Sequence, residues 1–591
     1  MKTNGHGKSG HGTGPNGHGP NGTNGSNGHA RPRTGTRLRP GLELTGREGS
    51  VREGSGREGS VREAFAGKHL VVTGVTGFLG KVWLGMVLDF LPEVGRLTVI
   101  ARGKKGEDAA ARFQRIVERS PAFRPLREKH GPALRDLVAE KVRVVEARLT
   151  EPHLGLGEEG ARALAADVDA VVHFAGLTDF EPEPKMALDA NVHGARHVAD
   201  LAALTPHGRY VHVSTCFVAG IRPDPEIPEE ITPGLSPNGT RFDPAAEIEA
   251  LEEGLAKLDT KKERVDFATA RANALGWPNI YTYTKGLSEQ LLETRDDIAS
   301  TTFRPAIVEC ARSYPFAGWN EGINTSGPLV WLLSTSFRRL PAKAKNHFDV
   351  VPVDTVARGM VLATAAALRD RARPVYQCGS SHVNPFTFER AVDLTGYAVR
   401  RLHERRGTRW EREVLGRLEP HCDDPDREQL LGYKRMRQAA KAMRGFLRDF
   451  DLERVVSPAL YERIDGDARK ESLRSFSMKC RTTDRKLGQV DEMLRQFRPF
   501  IHDLHYAFRA DHLVEETAAL SDEERALFGF DAPELCWRHY WVHVQVPGLD
   551  TWCIPLLRGE KVPEDEPLAP AEDGVRAKRG ERSADPLRHA V

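Results

Sequence analysis

The residues best suited to chemistry are Tyr281 and Lys285, in Tyr281-Thr-Tyr-Thr-Lys285. On a helix, positions i and i+4 share a face, so the phenol and the ammonium project together. A free tyrosine has a pKa of about 10, too high for ready proton exchange at neutral pH. A neighbouring ammonium stabilises the phenolate, and the pair becomes a general acid/base. A third group comes from Val211-His-Val-Ser214-Thr215-Cys216-Phe217, a strand pattern ending in two hydroxyls. Ligands sit at the carboxyl ends of parallel strands. Thr215 is therefore expected to hydrogen-bond a substrate carbonyl. Ser214 either lines the site or merely satisfies backbone groups. Cys216 reads as a small buried apolar residue rather than a nucleophile.

A second constellation lies upstream, in Val72-Thr-Gly74-Val-Thr76-Gly77-Phe78-Leu79-Gly80-Lys81. It follows a strand and opens a helix, the context that gives a glycine fingerprint meaning. Gly74 permits the tight turn, Gly77 lets the backbone approach a pyrophosphate, and Gly80 lets the helix pack on its strand. The helix start then offers N–H groups and a positive dipole end to phosphates. The second strand ends Ile100-Ala-Arg102-Gly-Lys104-Lys105. An NAD site usually places an acid there; these cations suit the 2′-phosphate of NADP, with Arg102 best placed. Lys104 and Lys105 read equally well as a solvated loop.

The elements that must position these groups are short apolar strands alternating with helical stretches. His69–Val72, Leu97–Ile100, Val142–Val145, Ala170–His173 and Tyr210–Val213 read as strands, with Thr301–Arg304 and Asp349–Val351 after them. Such alternation means βαβ units and a parallel sheet covered on both faces. The expected fold is α/β, a Rossmann-like doubly wound sheet over residues 64–390, followed by a mainly helical domain over 391–558. Residues 1–63 read as a disordered low-complexity tail and 559–591, rich in Pro and charge, as a second disordered tail.

Composition narrows the function. The chain has 591 residues, 28% of them charged, and a formal net charge of +2. The tail to residue 63 is basic, so the body is slightly acidic, which argues against nucleic-acid binding. Seven scattered cysteines without a CxxC pair argue against a disulfide framework or a metal site, and fit a reducing cytoplasm. No apolar run reaches the length of a membrane span, although an apolar helix face in the C-terminal region is compatible with peripheral contact on a bilayer.

Together these pieces resemble the extended short-chain dehydrogenase/reductases, and within them the fatty acyl-coenzyme A reductases of male-sterility type. The narrower resemblance rests on Thr73–Lys81, His212-Val-Ser-Thr215 and Trp277–Lys285. It rests also on Arg304-Pro-Ala-Ile-Val308 with Pro315-Phe-Ala-Gly-Trp319, on Asp349–Asp354 and on Gly379–Pro385. A looser match runs through Phe497–Phe500 and Cys536–Trp541. The resemblance implies a catalytic trio of Thr215, Tyr281 and Lys285, with Lys285 also bonding the nicotinamide ribose. It implies that Gly74, Thr76, Gly77, Phe78, Leu79 and Gly80 hold NADPH and that Arg102 meets its 2′-phosphate. Ala175, in His173-Phe-Ala-Gly176, would lie beside the cofactor, with His173 a packed core residue.

The implied reaction is NADPH-dependent reduction of a long-chain fatty acyl thioester, carried on coenzyme A or a carrier protein, to an aldehyde or on to the alcohol. Another extended-family activity, on a nucleotide sugar or a sterol, and a non-catalytic NADP-binding protein are the alternatives. Pro315–Trp319 weighs against the first, and the intact trio against the second. One departure stands out. Where the family places an acid that reads the adenine amine, Glu146-Ala-Arg148-Leu-Thr-Glu-Pro152 carries Arg148, which suits stacking on the ring or help with the phosphate. The long stretch between Thr215 and Tyr281 contains a helix over Ala245–Ala256, either a cap over the acyl chain or a solvated charged helix.

Overall fold

The computed structural model describes residues 60–423 with short breaks at 105, 336–337, 408–412 and 414–418. It continues with isolated stretches between 438 and 498, chiefly 467–478, and with 504–565. The low-complexity stretch 1–59, residues 566–591, Lys105, Cys480 and much of the expected C-terminal helical region lie outside the described residues.

In chain order the strands are β1 (His69–Thr73), β2 (Arg96–Ala101), β3 (Val142–Glu146), β4 (Ala170–His173), β5 (Arg209–Val213) and β6 (Glu226–Ile227). They continue with β7 (Ala299–Pro305), β8 (Ile307–Glu309), β9 (Arg339–Pro341), β10 (Val350–Pro352) and β11 (Val375–Cys378). Seven of them form one parallel sheet in the order β11-β7-β5-β4-β1-β2-β3. This is the doubly wound arrangement expected from the alternation of strands and helices. Every residue of β1 and β5 is buried, which is why these strands read as continuous apolar runs rather than alternating ones.

The register aligns the strand ends. Thr73 pairs with Ile100 on one side and His173 on the other, His173 with His212, and Val213 with Phe303. Their carboxyl ends therefore form one edge, and the segments that follow them (74–80, 174–180, 214–217 and 305–308) open onto a common crevice.

Two margins are ordered where composition suggests a tail. Residues Val61–Phe65 form a helix, capped by Ser60, whose Val61 and Phe65 are fully buried. At the other end, Asp565 pairs with Arg124 and Arg127. Apolar side chains inside the basic, glycine-rich stretch decide the first case, and a single carboxylate meeting two guanidiniums decides the second. The C-terminal segment 504–557 adds short helices whose Leu513, Phe528, Trp541 and Leu549 belong to the same apolar core as the sheet.

Candidate active site

Glycine stereochemistry shapes the floor of the crevice. Gly74 has φ +75°, and a Cβ there would stand 2.5 Å from the Ala175 nitrogen. A Cβ on Gly80 would stand 2.4 Å from the Gly74 carbonyl oxygen. The turn thus closes against β4 only without side chains at these two positions. Helix Phe78–Phe90 starts from Gly77 with no side chain capping it, leaving its first N–H groups facing the crevice.

The crevice has a volume of about 930 Å3, within the range of small-molecule sites. Gly74, Thr76, Gly77, Phe78, Leu79, Gly80, Arg102, Ala175, Thr215 and Tyr281 all line it. A dinucleotide fits what is present: a glycine turn whose backbone packs too closely for a Cβ at Gly74 or Gly80, a helix start, and Arg102 and Arg112 in the wall. Ser214 adds a further feature. It also lines the crevice, is 4% exposed, and its hydroxyl has no hydrogen-bond partner among the described residues. A buried polar group without a partner is rare and costs about 1–3 kcal/mol unless something else satisfies it.

Arg102 does not stand alone at the rim. Arg112, on helix Ala109–Arg119, also lines the crevice and donates to the Arg102 carbonyl at 2.9 Å. The Asp108 cap, which accepts from Ala111 N at 2.7 Å, and the Glu146 carboxylate, which accepts from Ala109 N at 3.1 Å, fix the start of that helix. Arg112 escapes a sequence reading because only this helix start turns it toward the tip of β2.

Arg148 is corrected by the structure. Its side chain is 70% exposed, pairs with Glu151 at 2.9 Å, and lies outside the crevice wall. Its neighbours Ala147, Leu149 and Thr150 supply that wall instead. Neither ring stacking nor phosphate contact follows from this position.

The catalytic candidates meet at β5 and helix Ile280–Glu293, which Asn279 caps by accepting from Thr282 N at 2.9 Å. Several ties hold this helix to the sheet. Lys285 Nζ donates to the Val213 carbonyl at 2.9 Å. Glu289 takes a paired contact from Arg304 of β7, with Nε–Oε1 at 3.0 Å. Trp277 Nε1 donates to the Val218 carbonyl at 2.9 Å, in the turn that follows Thr215. Gly286 lets the helix approach, since a Cβ there would stand 2.6 Å from the Trp277 ring. The result is that Thr215 and Tyr281 line one crevice, with the Thr215 hydroxyl facing the phenol's surroundings.

Lys285 sits behind this pair rather than in the wall. It is 3% exposed, and burial lowers its pKa to about 8, opposed by the nearby Glu289 carboxylate. Gly176 gives it room, because a Cβ there would lie 3.1 Å from both Lys285 Nζ and Asn191 Oδ1. Asn191 is a residue the sequence reading missed. It lies in a single turn of π-helix, Asp189–His193, accepts from Leu177 N at 2.7 Å and donates to Thr284 Oγ1 at 3.0 Å. That places it between the loop after β4 and the Tyr281 helix. π-Turns concentrate at functional sites, but no local signature announces them.

The expected lowering of the Tyr281 pKa by Lys285 is also corrected. Tyr281 opens partly onto the crevice, but burial of its surroundings pushes the phenol up to about 12, against the opposing influence of the Thr215 hydroxyl. At neutral pH Tyr281 is a protonated donor, not a phenolate. His173 is fully buried beside Thr73, at 2.7 Å, and burial lowers its pKa to about 3, so it is a neutral core histidine. Cys216 is fully buried, its thiol raised by burial and donating to the Arg304 carbonyl at 3.0 Å, which makes it a poor nucleophile.

Helix Pro244–Ala256, expected either as a cap or as a solvated element, is neither. Its Ile248, Leu251 and Leu255 pack with Ile280, Tyr283 and Leu287 of the Tyr281 helix, away from the crevice. It braces the catalytic helix from outside.

Residues 72–360 match the family described as male sterility protein. Over 508 residues the chain is 27% identical to fatty acyl-CoA reductase 8 of Arabidopsis thaliana, covering 82% of this chain and 97% of that one. It is 31% identical to the alcohol-forming fatty acyl-CoA reductase of Simmondsia chinensis, over 54% of this chain and 68% of the other. Among solved structures, the reductase domain of a non-ribosomal peptide synthetase from Mycobacterium tuberculosis is 19% identical, with a TM-score of 0.46 over 84% of this chain and 95% of that chain.

Proposed function

Since the chain belongs to the male-sterility-type fatty acyl-CoA reductase family, we propose that it reduces long-chain fatty acyl thioesters with NADPH, through the aldehyde to the fatty alcohol. The observation that carries this reading is that Thr215 and Tyr281 line the same crevice as the glycine turn.

Reduction of a carbonyl places negative charge on its oxygen, and the site answers that need. Thr215 Oγ1 now donates a long hydrogen bond, 3.4 Å, to the Pro305 carbonyl, so it can turn to a substrate oxygen at little cost. Tyr281 offers a second donor at the same place. Its high pKa suits a proton donor, because the proton is present at neutral pH and passes to the alkoxide formed in the aldehyde step. In the thioester step the same two donors hold the oxyanion until the thiol leaves. Lys285, still mostly protonated at neutral pH, biases the field around the phenol toward negative charge. Gly74, Thr76, Gly77, Phe78, Leu79, Gly80 and Ala175 would cradle the dinucleotide, and Arg102 with Arg112 would pair with its 2′-phosphate. Bound there, NADPH supplies the two reducing electrons and the hydrogen of each step. Coenzyme A and a carrier protein are both acceptable thiols on this reading.

Among the described residues no helix is long and apolar enough to cross a membrane. A cytoplasmic enzyme with peripheral membrane contact is the location that goes with this reading. Turnover tests the function directly: purified protein with NADPH and palmitoyl-coenzyme A is expected to release free thiol and long-chain alcohol. Cofactor consumption on a nucleotide sugar or a sterol, with none on any thioester, would replace this function with another of the extended family.

A further inference from the structure

We propose that Phe217 is the chain-length partition of the acyl site. It lines both the main crevice and a second, smaller cavity. This inference rests on the acyl-thioester reading and names the residue at which the acyl chain is measured.

Phe217 is two residues past Thr215, and its backbone N–H donates to Thr215 Oγ1 at 3.3 Å. Whatever carbonyl Thr215 holds, the group attached to it meets Phe217 early. Phe217 and Ile307 line the main crevice and also line a separate small cavity with Phe348, Leu504, Tyr506 and Phe508. That cavity has a volume of only about 20 Å3, room for little more than one water. Most of its wall is apolar, from Phe348, Leu504, Tyr506 and Phe508, each less than one-tenth exposed, while His347 and the Asp349 carboxylate, which accepts from Ser380 N and Ser381 N, form its polar edge. A void lined mostly by aromatic and aliphatic side chains, close to a carbonyl-binding hydroxyl, suits the end of a hydrocarbon tail while its polar edge stays satisfied by the Ser380 and Ser381 amides.

The far wall is rigid, and this makes Phe217 the adjustable part. The short strand Ala507–Phe508 pairs with β6. The Tyr506 hydroxyl donates to the Gly220 carbonyl at 2.7 Å and accepts from Arg222 N at 2.9 Å. Phe508 N donates to Ser381 Oγ at 2.8 Å, and Phe348 stacks on Phe388 with centroids 4.6 Å apart. Phe217 meets Phe508 edge to face, centroids 5.4 Å apart, and is itself only partly buried. Shortening its side chain joins the two cavities without touching the hydrogen bonds that hold the wall.

The test compares kcat/KM for lauroyl-, palmitoyl- and stearoyl-coenzyme A in the full-length protein and in Phe217→Ala, Phe217→Leu and Phe217→Trp. Pocket methylenes change discrimination by about tenfold or more each. Phe217→Ala is therefore expected to raise the stearoyl-to-lauroyl ratio by about tenfold or more, Phe217→Leu by less, and Phe217→Trp to lower it. Should Phe217→Ala fold poorly, Phe217→Leu and Phe217→Trp carry the test in opposite directions. Unchanged ratios in all soluble variants overturn the partition. So does a ratio that responds instead to Met186→Ser or Ile323→Ser at the outer lip, because the chain would then leave toward solvent. Absence of thioester reduction by the unaltered protein would refute the functional reading itself, a result separable from an unchanged ratio.

Discussion

Thr215, just past the end of β5, and Tyr281, in the first turn of helix Ile280–Glu293, line the same crevice. Neither residue is near the other in sequence. Their meeting depends on Lys285 holding the Val213 carbonyl, on Arg304 holding Glu289, and on Trp277 reaching the turn after Thr215. Each of these attachments yields a measurable consequence.

Removing the phenol removes the proton donor and leaves the glycine turn and the rim arginines untouched. Tyr281→Phe is expected to bind NADPH as the unaltered protein does and to lose about 10²- to 10⁴-fold in kcat. Fluorescence titration of the cofactor alongside steady-state turnover checks this. Full retained activity would remove Tyr281 from the chemistry.

The pH dependence follows from Lys285. Its pKa is lowered to about 8, so its ammonium is present below that pH and is lost as pH rises through it. Tyr281, at about 12, keeps its proton throughout. Activity is expected to fall as pH rises through about 8. The stability term of Lys285 runs the other way. Between its folded value and the ordinary lysine value the unfolded chain binds more protons, so this one contribution becomes more favourable as pH rises. In Lys285→Met the pH inflection in residual activity should vanish. An inflection that persists unchanged in that variant assigns it to another group.

Arg102 and Arg112 should govern the choice between cofactors. Each charge-assisted contact to a phosphate is worth about 1.5–3 kcal/mol. Arg102→Ala and Arg112→Ala are each expected to lower the kcat/KM preference for NADPH over NADH by about tenfold or more, through KM for NADPH. Equal losses with NADPH and NADH would mean that the arginines shape the rim without reading the phosphate.

The Glu289–Arg304 pair lies at 3% and 6% exposure. Removing one partner leaves a buried charge alone, which costs about 3–5 kcal/mol. Glu289→Ala should therefore lower unfolding stability by that order in chemical denaturation. Glu158→Ala, which breaks the exposed pair with Arg162, should cost almost nothing. Similar small losses in both variants would show that the buried pair does not anchor the catalytic helix.

Much of this arrangement was legible in the chain before folding. β1 to β5 were readable because strands buried on both faces leave short unbroken apolar runs, and Thr215, Tyr281 and the glycine turn because their spacing ties them to strand and helix ends. What was not legible depends on distant packing. The phenol of Tyr281 is raised rather than lowered because burial outweighs its neighbours, and burial is a property of the whole fold. Asn191 belongs to a π-turn with no local signal. Arg112 reaches the crevice only through the start of its helix, and Arg148, read in sequence as stacking on the adenine or helping with the phosphate, turns outward to Glu151. The inner wall at Tyr506 and Phe508 comes from a segment far along the chain and is visible only once it pairs with β6.

The most direct measurement is a single-turnover experiment with palmitoyl-coenzyme A and NADPH, in which NADPH loss, free thiol and lipid product are followed together in the unaltered protein and in Tyr281→Phe. The expected result is thiol release with hexadecanol as the end product, consuming two NADPH per thioester, and no turnover by the variant over the same interval. Palmitoyl-coenzyme A recovered intact, with NADPH bound but unconsumed, would contradict the account.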